Sequence, residues 1–375
     1  MFYVRGVGMT KFGVQDSTTH SMIYEAAMEA LDDADMTIKD IGAVVVSNED
    51  VKVNGERQKL VPSIVASILK IRAPIIRVPA VCGGGGAAIW SAQKLGYDNV
   101  LVVGAERLAS TNTATTTEEI LMAADNIWEQ SEGLIFPAQN ALVAQQHMMK
   151  YGTTTDDFAL VALKNHDSAF LNPKARFYQK KVTLKEIKRS PVVASPLRLF
   201  DCSLSVNGGA ACILTKDRAD VCIKASSLYT DRLPAFENGD MTTWSASVKA
   251  SKDAYRAAGI GPEGIDFAEL HDAFTPVEII SYEDLGFCRK GEGARMIRDG
   301  ATRIDGRLPV NASGGLKAKG HPICATGISQ VYEIVKQMRS QAGERQLKNT
   351  RRALAQNIGG AGAIVSVHII ERVGA

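Results

Sequence analysis

The pattern of small, apolar and polar residues is repeated in two segments that lie 224 positions apart. Residues 30–36 and residues 254–260 both place small and apolar residues at helical spacing, and each segment is followed by a short polar turn and a β-rich run. The first run ends at residues 47–48 and the second at residues 271–272. We interpret the repeat as an internal duplication, with a chance similarity of alanine-rich helices as the alternative.

Strands and helices continue to alternate after the repeated segments. In the first half we predict a strand over Ile76–Val81, a helix to about Leu95 and a strand over Val100–Gly104. In the second half we predict a helix over Ile328–Met338 and two closing strands. This alternation is typical of α/β lobes with largely parallel sheets.

The length of the chain favours two lobes. Its 375 residues exceed the roughly 250–300 at which a single hydrophobic core stops growing. We predict an N-terminal lobe over residues 1–220 and a C-terminal lobe over residues 221–375. Residues from 106 to about 151 match neither copy of the repeat, and we interpret them as an inserted loop region that carries ligand or oligomer contacts. Residues 169–195, rich in lysine and arginine, are a second candidate insertion, for which a solvated face is the commoner explanation, so the loop region spans about 106–195.

The composition is that of a folded protein with no general affinity for polyanions. Hydrophobic residues make up 45% and charged residues 22% of the chain, and a net charge of +2 gives no reason to expect a nucleic-acid partner. The N-terminus lacks the apolar region of a signal peptide, and no stretch approaches the roughly 20 apolar residues of a membrane helix. We therefore expect a soluble, cytoplasmic protein without membrane contact.

The spacing of the cysteines argues against a zinc site and against a disulfide framework. No two of them form a C-x-x-C pair, and six scattered cysteines in a chain of this length are typical of reduced thiols. They are Cys82, Cys202, Cys212, Cys222, Cys288 and Cys324. We predict no metal site.

Cys82 is the strongest candidate nucleophile. It stands at a predicted strand-to-helix turn and is followed by the glycine run Gly83–Gly86. A thiol at this place faces unpaired backbone N–H groups and the positive end of the helix dipole, which favours the thiolate and lowers the pKa of a cysteine. From position alone, a small buried cysteine in a tight turn is an equally good interpretation.

Three other residues lie where they can act on a thiol or a carbonyl group. His321 is held in a loop rich in proline and glycine, where it can take a proton or donate to an oxyanion; a turn histidine bonded to backbone is the alternative. His271 ends a predicted strand, and active sites of α/β lobes gather at such ends; an ordinary polar residue is the alternative. Cys324 can serve as acid and base at a substrate α-carbon, although its position alone favours a packing role.

Two glycine-rich stretches carry candidate binding groups. Asn311 and Ser313 can hydrogen-bond water or an amide of a substrate. Lys317 and Lys319 are expected to be solvated, with phosphate contact as the alternative. The backbone N–H groups around Gly360 can bind an oxyanion.

Three ordered motifs together resemble those of the thiolase superfamily. Residues 80–85 (AVCGGG) resemble its nucleophile loop, residues 311–327 (NASGGLKAKGHPICATG) resemble its Gly-His-Pro signature, and residues 357–362 (NIGGAG) lie where its closing glycine loop belongs. The likeness is closest to the sterol-carrier-type and archaeal thiolases, because a His-Asp pair at residues 271–272 stands where the best-known thiolases carry an asparagine. The resemblance covers essentially the whole chain. It implies a duplicated fold of two βα lobes with mixed sheets in a layered α-β-α-β-α arrangement.

The chain departs from the family pattern at both usual positions of the acid/base cysteine. The closing loop begins with Asn357 instead of cysteine, and Ala273 follows the His-Asp pair where the sterol-carrier branch has cysteine. We hypothesise that Cys324 takes the acid/base role, because it lies on the same loop as His321.

The resemblance implies an acetyl-CoA C-acetyltransferase, which condenses two molecules of acetyl-CoA to acetoacetyl-CoA and coenzyme A through an acyl-Cys82 intermediate. His321 would activate Cys82, and backbone N–H groups of Cys82 and Gly360, together with His271 and His321, would hold the oxyanions. No permanently bound cofactor and no metal are implied, and coenzyme A thioesters are the substrates.

The resemblance also implies partners. A homodimer or a dimer of dimers is expected, and the archaeal relatives suggest a complex with hydroxymethylglutaryl-CoA synthase and a small zinc-containing bridging protein that serves the mevalonate pathway of isoprenoid biosynthesis. The alternatives are a degradative 3-ketoacyl-CoA thiolase, an acyltransferase that forms no carbon–carbon bond, and a non-catalytic scaffold that binds CoA esters.

Overall fold

The structure, a computed structural model, describes residues 1–49, 55–56, 58–109 and 112–374. In these residues, helices cover one sheet of nine strands and accompany a separate two-stranded hairpin. The strands are β1 (Phe2–Met9), β2 (Ala43–Ser47), β3 (Ile75–Arg77), β4 (Asn99–Arg107), β5 (Val192–Ala194), β6 (Leu197–Arg198), β7 (Asn207–Thr215), β8 (Val221–Thr230), β9 (Phe267–Glu269), β10 (Arg352–Gly359) and β11 (Ile364–Arg372). The α-helices are α1 (Thr19–Ala34), α2 (Val61–Leu69), α3 (Gly84–Ala92), α4 (Thr113–Leu121), α5 (Phe136–Tyr151), α6 (Thr155–Phe170), α7 (Leu184–Arg189), α8 (Ser245–Ala258), α9 (Thr275–Asp284), α10 (Gly293–Arg298) and α11 (Thr326–Met338).

The large sheet is mixed, with the strand order β3-β2-β4-β7-β1-β8-β11-β10-β9. Among the described strands, only β2 with β3, β2 with β4, and β9 with β10 pair in parallel, and the other neighbours in this sheet are antiparallel. The two halves join where Phe2 of β1 pairs with Ile223 of β8. The mixed sheets implied by the resemblance are confirmed, whereas the largely parallel pairing expected from the alternation is wrong. The connection from Gly359 to Ile364 shows why, since it is too short for the crossover helix that parallel pairing requires.

Five layers result from the way the helices cover this sheet. Helices α3 and α11 contact each other between the strands of the two halves. Alternate residues of β2 face opposite layers: Ala43 and Val45 join the core around α3 and α11, whereas Val44 and Val46 pack with α1 and α2. Helix α8 covers β8 and β11 on the far side. This α-β-α-β-α arrangement brings the first turns of α3 and α11 together at the centre of the molecule.

The repeat in the sequence is also a repeat in the structure. Asp35 caps the C-terminus of α1 and Gly259 caps that of α8, and both capping residues adopt the left-handed conformation. Short 3₁₀ turns follow at Ile38–Asp40 and Pro262–Gly264, and then strands β2 and β9 begin. Each of these pairs is 224 positions apart, the offset found between the two sequence segments.

The segment between β4 and β7 holds α4 to α7 and the β5–β6 hairpin. The backbone N–H groups of Arg176 and Phe177 donate to the carbonyl oxygens of Lys319 and Ala318 at 2.9 and 3.2 Å, so the inserted segment supports the loop that carries His321. Its ligand or oligomer contacts remain a prediction, as does the lobe boundary at residues 220–221, which falls between β7 and β8. Across the described residues, no helix has the length and apolar character needed to cross a membrane.

Candidate active site

The turn that presents Cys82 is strained and held by a carboxylate. Cys82 is the middle residue of a 3₁₀ turn, Val81–Gly83, which leads directly into α3. Val81 has a φ of +47°, a left-handed conformation that is rare for a β-branched residue. Its backbone N–H donates to Oε1 of Glu49 at 2.5 Å. The carboxylate of Glu49 therefore helps to hold the backbone in the conformation that exposes part of Cys82.

The electrostatic surroundings of Cys82 oppose the thiolate in the free protein. Burial of the thiol raises its pKa to about 12, and the carboxylates of Glu49 and Glu106 act in the same direction. The lowered pKa expected from the helix N-terminus is therefore wrong. Desolvation of the thiol and the two nearby negative charges outweigh the backbone hydrogen bond that lowers the pKa.

Asn357 connects the nucleophile turn to His271. Its Nδ2 donates to the carbonyl oxygen of Cys82 at 2.8 Å and lies 3.2 Å from Nδ1 of His271. Its Oδ1 accepts from the backbone N–H of Gly86 in the first turn of α3 at 3.0 Å. The carboxamide of Asn357 thus contacts Cys82, Gly86 and His271 at the same time.

The two predicted histidines come together at this place. The rings of His271 and His321 are 5.2 Å apart between centroids and nearly perpendicular, at 84°. Nδ1 of His321 lies 2.7 Å from the hydroxyl of Thr326, and its Nε2 is buried without a hydrogen-bond partner among the described residues. Burial lowers the pKa of His321 to about 3 and that of His271 well below its usual value, so both rings are neutral near pH 7.

The aspartate of the His-Asp pair has a structural task. Asp272 accepts the backbone N–H of Leu316 at 2.7 Å and an amide N–H of Asn165 at 2.8 Å. The residues around Leu316 form a π-helical turn, Gly315–Lys319, just before His321. Asp272 therefore anchors the Gly-His-Pro loop while its neighbour His271 faces Asn357.

Cys324 lies beneath the nucleophile turn and has no exposed surface. Its thiol donates to the carbonyl oxygen of Val81 at 3.7 Å, and the carboxylates of Glu106 and Glu49 lie near it. Burial and the nearby carboxylates raise its pKa well above the usual value. Cys324 belongs to the same apolar cluster as Cys82, and its acid/base role remains a prediction.

The other predicted binding residues occupy different environments. Asn311 accepts from the N–H of Leu270 at 2.7 Å and Ser313 donates to Glu269 at 2.5 Å, so both are engaged inside the protein and their contact with a substrate stays a prediction. Gly360, with a φ of +62°, is partly exposed in the turn between β10 and β11.

Lys317 and Lys319 were expected to be solvated, and this is wrong, because each is only 1% exposed. Lys319 reaches the hydroxyl of Ser329 at 3.2 Å and lies 3.8 Å from the carboxylate of Glu333. Neither lysine is placed to meet a phosphate at the surface.

Sequence reasoning missed the carboxylates of Glu49 and Glu106. Strands β2 and β4 are parallel, with Ser47 opposite Gly104, so the two glutamates lie two residues beyond this pair at one edge of the sheet. Because the carboxyl ends of parallel strands commonly line the site in α/β folds, their positions were a usable signal.

Comparisons with known proteins agree over the full length. The family model described as the thiolase N-terminal domain matches residues 3–216, and that described as thiolase C-terminal domain-like matches residues 229–372. An acetyl-CoA acetyltransferase of Methanothermobacter thermautotrophicus is 40% identical, over 98% of this chain and 99% of that protein. Sterol carrier protein 2 of Bos taurus is 32% identical, over 97% of this chain and 71% of its own length. A solved structure titled Ltp2-ChsH2(DUF35) aldolase superposes with a TM-score of 0.83 at 24% identity, over 99% of this chain and 97% of that one.

Proposed function

The chain belongs to the thiolase family of acyltransferases, and from this premise we propose that it is an acetyl-CoA C-acetyltransferase. It would join two molecules of acetyl-CoA into acetoacetyl-CoA and release coenzyme A. The observation that carries this proposal is that Asn357 links the turn of Cys82 to His271, whose ring packs against that of His321, so residues of both halves meet at one place. The full-length likeness to an acetyl-CoA acetyltransferase supports acetyl-CoA as the substrate.

The first stage transfers an acetyl group to Cys82. His321 is neutral and offers a free ring nitrogen, so it takes the thiol proton as the sulfur attacks the thioester carbonyl. Because the pKa of Cys82 is raised, we expect the proton to leave together with the attack instead of before it. The oxyanion is held by N–H donors, which include the backbone of Cys82 and Gly360 and the ring of His271. Coenzyme A then leaves with the proton from His321.

The second stage forms the carbon–carbon bond. A second acetyl-CoA gives up a proton from its α-carbon to a base, and the enolate attacks the acetyl carbonyl on Cys82, which breaks the carbon–sulfur bond. The base then passes this proton to the released sulfur and restores the thiol of Cys82. The chain has asparagine and alanine at positions 357 and 273, so we assign the base to Cys324, which would act as the thiolate while the nearby carboxylate of Glu106 holds the proton of its thiol. The absence of a cysteine at both positions also favours a second candidate function, an acyltransferase that stops after the first stage. A degradative 3-ketoacyl-CoA thiolase would run the same two stages in reverse.

The proposal is tested by mixing the purified protein with acetyl-CoA, quenching with acid and searching for acetylated Cys82 by mass spectrometry. Cleavage of acetoacetyl-CoA by coenzyme A is measured in the same sample. Acetylation with cleavage supports the full reaction, and acetylation without cleavage supports the simple acyltransferase. An unmodified Cys82 would leave only a non-catalytic scaffold that binds CoA esters. The variant Cys222→Ala serves as the control, because Cys222 lies in β8 at the joint of the two halves.

The cellular setting follows from the energetics of the reaction. Condensation of two thioesters is unfavourable, so a biosynthetic enzyme gains from a partner that consumes the product. We propose a homodimer or dimer of dimers bound, through a small zinc-containing protein, to hydroxymethylglutaryl-CoA synthase in the mevalonate pathway. All six cysteines are free, as is typical of the cytoplasm, where we place the protein. Purification from native cells as a bare homo-oligomer would count against the complex.

A further inference from the structure

We propose that Asn357 is a positioning residue that fixes His271 as the tautomer with its proton on Nε2. The family's acid/base cysteine is absent at this position, and the carboxamide that replaces it has no proton to exchange near neutral pH. Its hydrogen bonds indicate a different task, which is to set the direction in which His271 donates.

The orientation of the Asn357 carboxamide is determined by its neighbours. The backbone N–H of Gly86 can only donate, so it requires an oxygen, and it meets Oδ1 at 3.0 Å. The carbonyl oxygen of Cys82 can only accept, so it requires an N–H, and it meets Nδ2 at 2.8 Å. Rotating the carboxamide by 180° would set two donors against each other at Gly86 and two acceptors against each other at Cys82.

The tautomer of His271 follows from this orientation. The Nδ2 group of Asn357 is a donor and lies 3.2 Å from Nδ1 of His271, so that nitrogen offers its lone pair. A buried, neutral imidazole carries one proton, which must then be on Nε2. His271 is thereby a hydrogen-bond donor at the ring edge away from Asn357.

His321 has the complementary arrangement. The hydroxyl of Thr326 lies 3.3 Å from the carbonyl oxygen of Pro322, to which it donates, so it accepts the proton of Nδ1 of His321 at 2.7 Å. The buried Nε2 of His321 is then left with a lone pair. Two perpendicular imidazoles thus present one donor and one acceptor, which suits an oxyanion ligand and a base. This catalytic consequence rests on the proposed function, whereas the tautomer itself does not.

Nitrogen-15 NMR of the histidine side chains tests the tautomer without any substrate. The full-length protein is labelled at histidine, and the variant His271→Gln identifies the His271 signals among those of the six histidines. We expect the unsubstituted protein to show a lone pair at Nδ1 and a proton at Nε2. In the isosteric variant Asn357→Asp, an acidic oxygen replaces the donor, so we expect the proton to appear on Nδ1. A proton on Nδ1 in the unsubstituted protein would overturn the proposal, as would a spectrum of His271 that does not respond to Asn357→Asp.

Kinetics provide the second readout. If His271 is an oxyanion donor, Asn357→Asp should lower the rate of Cys82 acetylation by about 10²–10³-fold with little change in KM, as expected for the loss of one such donor. In a His271→Asn background the donor is a carboxamide, so Asn357→Asp should cost at most a few-fold more. Equal losses in both backgrounds would show that Asn357 acts only on the stability of the loop. An NMR result as expected without any acetylation in the unsubstituted protein would retain the tautomer and refute the proposed function.

Discussion

Cys82 and Cys324 occupy the same position in the two halves of the molecule. Each is the middle residue of a 3₁₀ turn, Val81–Gly83 or Ile323–Ala325, that leads directly into one of the two central helices, and the two cysteines are 242 positions apart. Yet Cys82 is partly exposed and Cys324 is completely buried. The backbone of the repeat therefore does not decide which cysteine can react.

The strand ends contributed by the opposite half make the difference. In the first half, Ser47 and its parallel neighbour Gly104 end their strands beside Cys324, and a Cβ at Gly104 would overlap the carbonyl oxygen of Cys324. In the second half, the strand positions that match them carry His271 and Asn357, and Asn357 binds the carbonyl oxygen of Cys82. The first half thus buries Cys324 of the second half. The second half instead places hydrogen-bonding side chains around Cys82 of the first half. The repeat places a cysteine at the same position in both halves, and the side chains at two strand ends make Cys82 the candidate nucleophile.

The largest expected effect separates the two cysteines in acyl transfer. Cys82→Ala should reduce transfer from acetyl-CoA by more than about 10⁴-fold, because the acyl-accepting sulfur is lost. Cys324→Ala should leave this first stage largely intact. The rate of coenzyme A release from acetyl-CoA in a single turnover measures both variants. Comparable losses in the two would show that the cysteines are not functionally distinct.

The next effect concerns the second stage. If Cys324 is the acid/base, Cys324→Ala should lower acetoacetyl-CoA formation and cleavage by at least about 10²-fold, the usual contribution of such a group. Cys212→Ala is a matched control, because Cys212 is also completely buried but lies in β7. Unchanged condensation in Cys324→Ala would refute the acid/base hypothesis and indicate that another group near Cys82 takes the α-proton.

A smaller effect is expected on stability, at the close contact that buries Cys324. Gly104→Ala should lower the free energy of unfolding by about 1–3 kcal/mol, since the added methyl group has to displace backbone at residue 324. The control is Gly13→Ala, whose new Cβ would meet only the flexible side chain of Arg176 at 3.8 Å. Urea unfolding followed by circular dichroism measures both. A Gly104→Ala protein as stable as the control would mean that the contact is not tight.

Local signals in the sequence predicted the turns and strand ends that carry Cys82, His271 and His321, whereas the mixed pairing of the strands was predicted by the family resemblance. Glycine runs mark the turns around Cys82 and His321, and alternating apolar residues mark the strands that carry His271 and Asn357. The pKa of Cys82 was not predictable, because it depends first on burial of the thiol and then on Glu49, which lies 33 positions earlier in the chain and meets the turn only in the folded protein. The burial of Lys317 and Lys319 was missed for a similar reason: a lysine in a glycine-rich loop is ordinarily exposed, but distant parts of the chain, among them the inserted segment and Asp272, enclose this loop.

The smallest expected effect concerns the negative charge of Glu49, which lies near Cys82 and raises its pKa. Glu49→Gln removes a negative charge that raises the pKa of Cys82, while the amide oxygen can still accept the N–H of Val81. The pKa of Cys82 should therefore fall, so that more thiolate is present at any pH below it. We expect the alkylation of Cys82 by iodoacetamide at pH 8 to become several-fold faster, roughly tenfold for each unit by which the pKa falls.

The pH dependence distinguishes this electrostatic effect from a simple opening of the turn. In the unsubstituted protein the rate should rise with pH throughout the accessible range, because the raised pKa keeps Cys82 protonated there. Glu49→Gln should shift this rising curve to lower pH, and Glu106→Gln should shift it less, since Glu49 has the larger influence on the thiol. Cys324 should remain unlabelled in all three proteins because it is buried. Faster alkylation with an unshifted pH profile, or labelling of Cys324, would indicate that the substitution loosens the turn, and the contrast between the two cysteines would then depend on packing alone.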